Sequence, residues 1–213
     1  MDEALYKLTS WLSPAYPVGA YTYSHGLEWA VTSGDVVDVA TAQCWIEDCL
    51  LYGAGRTDAI LLSRAHAAAT DEPALREIDE LARALAPTAE RLLETEAQGE
   101  AFARVTETSW GGAQPLAYPV AIGYAAAAHG VPAEQTVMLF LHAFLSNMVS
   151  AAVRLVPLGQ TEGQTIISSL MPLCTTVSLE ALNASLDDIG GFAIRSDIAS
   201  MRHETQEVRL FRS

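Results

Sequence analysis

Apolar residues recur at steps of three and four along most of the chain, and no alternating run exceeds four residues, so the pattern predicts helices rather than strands. Leu5, Leu8 and Leu12 mark a short first helix, stopped at Ser13-Pro14 because proline disfavours helical backbone in its predecessor. After a loop through Pro17 and Gly19, Ser24 is placed to cap a second helix that runs to about Thr32 and stops at Gly34. Asp38 caps a third, whose apolar face is Ala42, Trp45, Ile46, Cys49, Leu50 and Gly53. Thr57 to Thr70 predicts a fourth helix. Asp71 and Pro73 open a fifth with a stripe of Leu75, Ile78, Leu81 and Leu85. Ala89 to Ser109 predicts a sixth, with Leu92, Gly99, Phe102 and Val105 or Thr106 on one side; Gly99 inside it points to close helix packing. Pro119 and Pro132 sit at helix starts, Gly130 at a helix stop, and Pro157 after the eighth helix. Leu158 to Gln164 is expected as a loop, Thr165 to Leu186 as a helix kinked or divided at Pro172, and Ser196 as the cap of a final short helix. The expected fold is all-α, one compact domain over residues 1–213 with roughly nine or ten helices.

Gln135 to Val153 carries no formal charge, and about 20 apolar residues span a bilayer. His142, Ser146, Ser150 and Arg154, however, recur every four residues as one polar stripe. The segment therefore reads as a helix buried on most sides, not as a membrane span.

Composition adds a second layer. Acidic residues number 26 against 12 basic, giving a net charge of −14, with 50% hydrophobic residues. Acidity of that size disfavours nucleic acid and anionic membrane as partners, and the apolar fraction excludes disorder. Three cysteines without a spaced framework, and no signal-peptide start, suggest a cytoplasmic setting. The charge is uneven: residues 71 to 107 hold ten acidic and four basic side chains, whereas Ser109 to Ser178 holds only Glu134, Arg154 and Glu162. Charge-poor surface is typical of interface cores.

Catalytic constellations are incomplete. His203-Glu204-Thr205-Gln206-Glu207 resembles H-E-x-x-H but has Glu207 where the second imidazole belongs; a metal-dependent hydrolase using His203 and Glu204 remains an alternative, as does a direct metal carrier using histidines. Cys44 and Cys49 lie about 140° apart on a helix and cannot share one ion without distortion. Cys174 reads as a buried structural thiol, and His66 and His129 as solvated or capping residues. His25, on an aromatic glycine-bearing loop, and His142 are stronger functional candidates. No phosphate-binding glycine loop or serine elbow is present. No cofactor is expected.

Two stretches stand apart: SPAYPVGAYTYSHGLEWA over residues 13–30 and SDIASMRHETQEVRLFRS over residues 196–213. The second is nearly neutral and places Arg202, Arg209 and Arg212 among apolar residues, fitting either a docking segment or a frayed terminus.

At these stretches the sequence resembles the urease accessory protein UreF family. The resemblance rests on Ser13-Pro14, Pro17-Val18-Gly19, Tyr21, Ser24 and Gly26-Leu27-Glu28, then on Glu96 to Gly99 and Asn147 to Gln164, and finally on Met201 to Gln206 and Arg209 to Ser213. It implies a non-enzymatic, all-helical, dimeric cytoplasmic protein that acts in nickel loading of urease. Such a protein bridges the UreD/UreH scaffold, which contacts apo-urease, and the nickel-carrying GTPase UreG; nickel is handled by the complex rather than bound tightly here. The residues it implicates in partner binding are Tyr21, Ser24, Gly26, Leu27, Glu28, Arg154, Gln160, Arg202, His203, Glu204, Arg209, Leu210 and Phe211. Residues 196–213 are expected to fold on docking, with Tyr21 receiving Arg209 by a cation–π or hydrogen-bond contact.

Overall fold

The computed structural model describes residues 3–212. Their regular structure is helical, with no strand among the described residues: α1 Glu3–Trp11, α2 Leu27–Ser33, α3 Val39–Leu51, α4 Ala54–Ala67, α5 Glu72–Ala84, α6 Ala89–Ser109, α7 Tyr118–Ala128, α8 Ala133–Leu155, α9 Gln160–Asn183 and α10 Ile194–His203, with short 3-10 turns at Ala20–Thr22 and Leu186–Asp188. Helix ends follow local chemistry. Asp38 accepts the Thr41 amide at 2.9 Å while Thr41 returns a bond to the Asp38 amide, a reciprocal capping box. Asp71 caps α5, Thr88 caps α6, and Gly34 closes α2 at φ 85°.

The core is built around α8, which packs against α4, α7 and α9. Val137, Leu141, Leu145, Met148 and Ala152 of α8 meet Ile46 and Leu50 of α3, Ile60 and Leu62 of α4, and Ile166, Cys174 and Val177 of α9. A smaller cluster joins Leu75 and Ile78 of α5 to Leu61, Ala65 and Val120. Helices α8 and α9 are each long and apolar enough to cross a membrane by length and composition. In the fold, α8 is the central core helix with its polar stripe outward: His142, Ser150 and Arg154 are exposed. The outer face of α9 carries Gln164, Thr165, Ser168, Thr175 and Thr176.

Gly99 does mark close packing: a Cβ there would collide with the Leu116 carbonyl oxygen. Several expected boundaries shift. Helix α4 begins at Ala54, not Thr57, and α9 begins at Gln160, inside the expected loop, because the Glu162 carboxylate accepts the Gly159 amide and caps the start. Nor does Pro172 divide α9. It lies on the exposed side, as does Ser168, whose carbonyl proline cannot pair and which solvent can serve. Ser24 and Ser196 are not the N-caps of α2 and α10: those positions are Gly26 and Ala193. Instead Ser196 sits inside α10 and donates its hydroxyl to the His25 carbonyl at 3.3 Å. His66 is more engaged than expected, whereas His129 takes the capping place expected of it, at the end of α7. His66 Nε2 contacts the Val131 carbonyl oxygen at 2.7 Å, and the His129 ring packs edge-on against Trp11.

Candidate functional site

Helix α6 buries a polar face. Glu94, Thr95, Gln98 and Thr106 are buried beside Phe102, whereas Leu93 is exposed and Leu92 only half-buried. Of the expected stripe, Gly99, Phe102 and Thr106 are buried and Leu92 only half so; polar residues are buried beside them, and the reason lies in what faces these. Arg91, with 11% of its side chain exposed, pairs with Glu94 at 2.5 Å and with Asp58 of α4 at 3.5 Å. Burial works against the Arg91 guanidinium, but Glu94 and Asp58 outweigh it and raise its pKa. Burial also pushes the Asp58 carboxyl up to about 6, against the pull of Arg91. It pushes the His25 imidazole down to about 4, so His25 is neutral near pH 7 and its 3.5 Å approach to Glu94 is not an ion pair there. A cavity of about 110 Å³ adjoins this group, lined among others by His25, Asp58, Arg91, Ser196 and Asp197. That volume admits a few waters and falls well short of the roughly 300 Å³ at which small-molecule sites begin.

The other polar concentration lies at the chain end. Helix α10 packs on α2 and on the edge of α3. Its inward face is Ala199, Ser200 and His203, all buried, while Ile194, Ile198 and Met201, at steps of four and three, are about half exposed beside Phe192, which is 77% exposed. The helix is thus inside-out, with small and polar residues inward and its apolar stripe toward solvent. Hydrogen bonds hold it. Thr88 and Ser200 share one at 3.1 Å, and Glu204 accepts the Ala89 amide at the start of α6. Gly26, at φ 76°, makes room for it; a Cβ there would sit 2.8 Å from the Ser200 amide nitrogen.

His203 is fully buried between two carboxylates. Its Nε2 lies 3.1 Å from Glu28 Oε2, and its Nδ1 lies 2.7 Å from Glu90 Oε2. The terminal segment continues from there. Arg209 pairs with Glu90 at 2.7 Å, Leu210 and Phe211 donate their amides to Glu28, and Arg212 donates its amide to the Thr22 carbonyl at 2.7 Å. Phe211 is buried in the core under the Arg154 guanidinium, 4.3 Å from the ring centroid. Arg154 in turn donates to the Tyr21 carbonyl at 2.7 Å.

The residues implicated from sequence therefore separate into two groups. Ser24, Gly26, Leu27, Glu28, His203 and Phe211 lie inside, where Glu28 holds the terminal segment, while Tyr21, Arg154, Arg202, Glu204, Arg209 and Leu210 are at the surface. Gln160 is exposed at the start of α9, and Ser213 lies outside the described residues. One expectation fails: Arg209 pairs with Glu90, not Tyr21. The segment to residue 212 packs on its own chain. Sequence reasoning missed Glu90, the Asp58–Arg91–Glu94 group and the outward stripe of α10. The four-and-three spacing of Ile194, Ile198 and Met201 was a visible signal, but that spacing ordinarily marks an inward face.

The hydrolase alternative does not survive this geometry. Both ring nitrogens of His203 are engaged by carboxylates, and Glu204 points away to cap α6. No group of three or more His, Cys, Asp or Glu able to hold a metal ion occurs among the described residues. Cys49 and Cys174 are buried thiols pushed up to about 12 and about 11 by desolvation.

Comparison with known proteins accounts for a fold rich in polar locks and poor in catalytic groups. A family model for UreF matches residues 36–171. The urease accessory protein UreF of Cereibacter sphaeroides strain KD131 is 55% identical over 214 aligned residues, covering 100% of both chains. The protein of the same name from Rhodopseudomonas palustris strain BisB5 is 50% identical over 224, covering 100% of this chain and 92% of the relative. These full-length relatives also span the residue 13–30 and 196–213 stretches that lie outside the family-model match. The chain belongs to the UreF family of urease accessory proteins, a chaperone-type family that serves urease maturation and is not catalytic.

Proposed function

We propose that this chain bridges two partners during urease maturation, a UreD/UreH scaffold and the nickel-carrying GTPase UreG, and reaches apo-urease through the scaffold. The observation that carries this reading is the inside-out helix α10. Ile194, Ile198 and Met201, with Phe192, form an outward apolar stripe on a chain of net charge −14. In soluble proteins an exposed apolar row of this kind marks a contact surface. The scaffold occupies that stripe, in keeping with the docking role that the family resemblance gives the C-terminal segment. The GTPase meets the neighbouring surface of Tyr21, Arg209, Leu210 and Arg212, where Tyr21 is 62% and Leu210 76% exposed. Aromatic and arginine side chains at such a surface carry a large share of binding energy.

Nickel in this scheme is cargo of the assembled complex. Dimerisation and a cytoplasmic location belong to the same proposal. Light scattering on the purified chain at about twice its 22.8 kDa mass supports the dimer, and a monomer removes it.

Co-purification tests the bridge. Ile198→Glu combined with Met201→Glu is expected to abolish scaffold binding while leaving the helical circular dichroism unchanged. Retained scaffold binding by that variant overturns the assignment of α10.

A further inference from the structure

Where the start of α10 meets the outer end of α3, a groove of about 220 Å³ lies between them, walled by Trp45, Asp48, Tyr52, Phe192, Ile194 and Arg195. Three aromatic side chains thus share one groove with one carboxylate. Trp45 is buried, whereas Tyr52 is 53% and Phe192 77% exposed. Asp48 is half-buried, and among the described residues no Lys, Arg or His stands within ion-pair distance of it. Carboxylates of the body in comparable surroundings are matched, Asp79 by Arg83 and Asp58 by Arg91. Arg195 does not serve Asp48: its guanidinium lies over the Trp45 ring, 5.6 Å from the centroid. A carboxylate held against aromatic walls without a counter-charge carries a desolvation cost that an incoming cation would offset.

We propose that this groove is the specificity pocket of the scaffold contact and takes one arginine side chain of the scaffold, its guanidinium paired with Asp48 and laid against the Tyr52 and Phe192 rings. Position and chemistry both favour that occupant. Ile194 belongs at once to the groove and to the outward stripe that continues through Ile198 and Met201, so a molecule seated on the stripe reaches the groove. An aliphatic side chain would fill the space but bury Asp48 unpaired, and a carboxylate would add a second negative charge to a chain of net charge −14. Arginine answers both demands, because its planar, weakly hydrated head stacks on aromatic faces while its edge pairs with a carboxylate. The inference rests on the scaffold reading of α10 given above and adds the side chain by which the scaffold is recognised.

The test is the affinity of the full-length chain for the scaffold, measured by biolayer interferometry at about 0.05 and about 0.5 M NaCl, where screening differs strongly. Asp48→Asn keeps the shape and removes the charge. It is expected to weaken binding by about tenfold at the lower salt and to flatten the salt dependence seen with wild type. Tyr52→Ala removes one ring and leaves the charge; it is expected to weaken binding by about fivefold with the wild-type salt dependence retained. Wild-type affinity and salt dependence in Asp48→Asn overturn the proposal, as does full affinity in Tyr52→Ala. If the Ile198→Glu, Met201→Glu chain loses the scaffold while Asp48→Asn binds as wild type, the stripe assignment stands and the groove assignment falls. If the wild-type chain does not bind the scaffold, both fall.

Discussion

The body around α8 and the C-terminal unit of α10 with residues 204–212 are held by different physics. In the body, Leu141, Leu145, Ile46 and Leu62 are fully buried against one another, and stability scales with apolar area removed from water. In the C-terminal unit the inward residues of α10 are Ala199, Ser200 and His203, Phe211 is the one large side chain that enters the core, and the links are the side chains of Glu28, Glu90, Thr88 and Glu204. An apolar core tolerates small displacements, whereas hydrogen bonds lose their strength within a few tenths of an ångström and a few tens of degrees. The difference teaches why the apolar residues of α10 are free to face outward: the helix is placed by directional contacts and does not need its stripe for its own folding. The stripe is thereby available to another molecule.

The sharpest way to break the contrast is to insert the wrong failure into each region. Arg91→Ala leaves Asp58 and Glu94 buried without their cation and is expected to destabilise the chain by about 3–5 kcal/mol, read from urea unfolding. Leu145→Ala, in the middle of α8, is expected to cost about 2–5 kcal/mol by cavity formation, lowering the global midpoint without selectively freeing the terminal segment. If either substitution loosened only residues 204–212, the division between the two regions would be misplaced. At the other end of the scale, Ile198→Ser on the outward stripe is expected to change stability by no more than about 0.5 kcal/mol. A large loss of stability in that variant would mean that the stripe is packed in the isolated chain.

Acidity sharpens the comparison within the body. Asp58 has its pKa raised to about 6, so the folded state binds more protons than the unfolded state below that value, and this contribution to stability falls as pH rises through about 6. His25 has its pKa lowered to about 4 from 6.5, so its contribution is lost as pH falls from about 6.5 towards 4. The two oppose each other across nearly the same window. Asp58→Asn removes one of them, and the melting temperature of that variant is expected to fall more steeply than wild type between pH 6.5 and pH 4.5. Parallel pH profiles for the two proteins would contradict the opposing assignment.

Helices of the body were legible in sequence because burial and periodicity agree there: the Ala42, Trp45, Ile46, Cys49 and Leu50 face of α3 is buried as its spacing predicts. Asp38 and Asp71 show the same agreement at helix starts, where a side-chain oxygen has one local task. Legibility fails where the deciding partner is distant in sequence. Glu90 is 113 residues from His203 and 119 from Arg209, and no local pattern announces either contact. The buried polar positions of α6 share this origin in part: Glu94 pairs with Arg91 one turn away, but the Asp58 that meets Arg91 lies 33 residues off. The resemblance singles out Arg209, but its partner was not legible: Tyr21 supplies a backbone carbonyl to Arg154 and leaves its ring exposed.

Tyr21 therefore offers the most direct test of the central claim, that one polar-held unit presents a surface for the GTPase beside the one for the scaffold. Its exposed ring can be removed without touching the Glu28, His203 or Arg154 contacts. The measurement is co-purification of the Tyr21→Ala chain with scaffold and GTPase. The account predicts that scaffold is retained in full while GTPase is lost or weakened by about tenfold or more. Recovery of the complete three-protein complex at wild-type yield and affinity would contradict it.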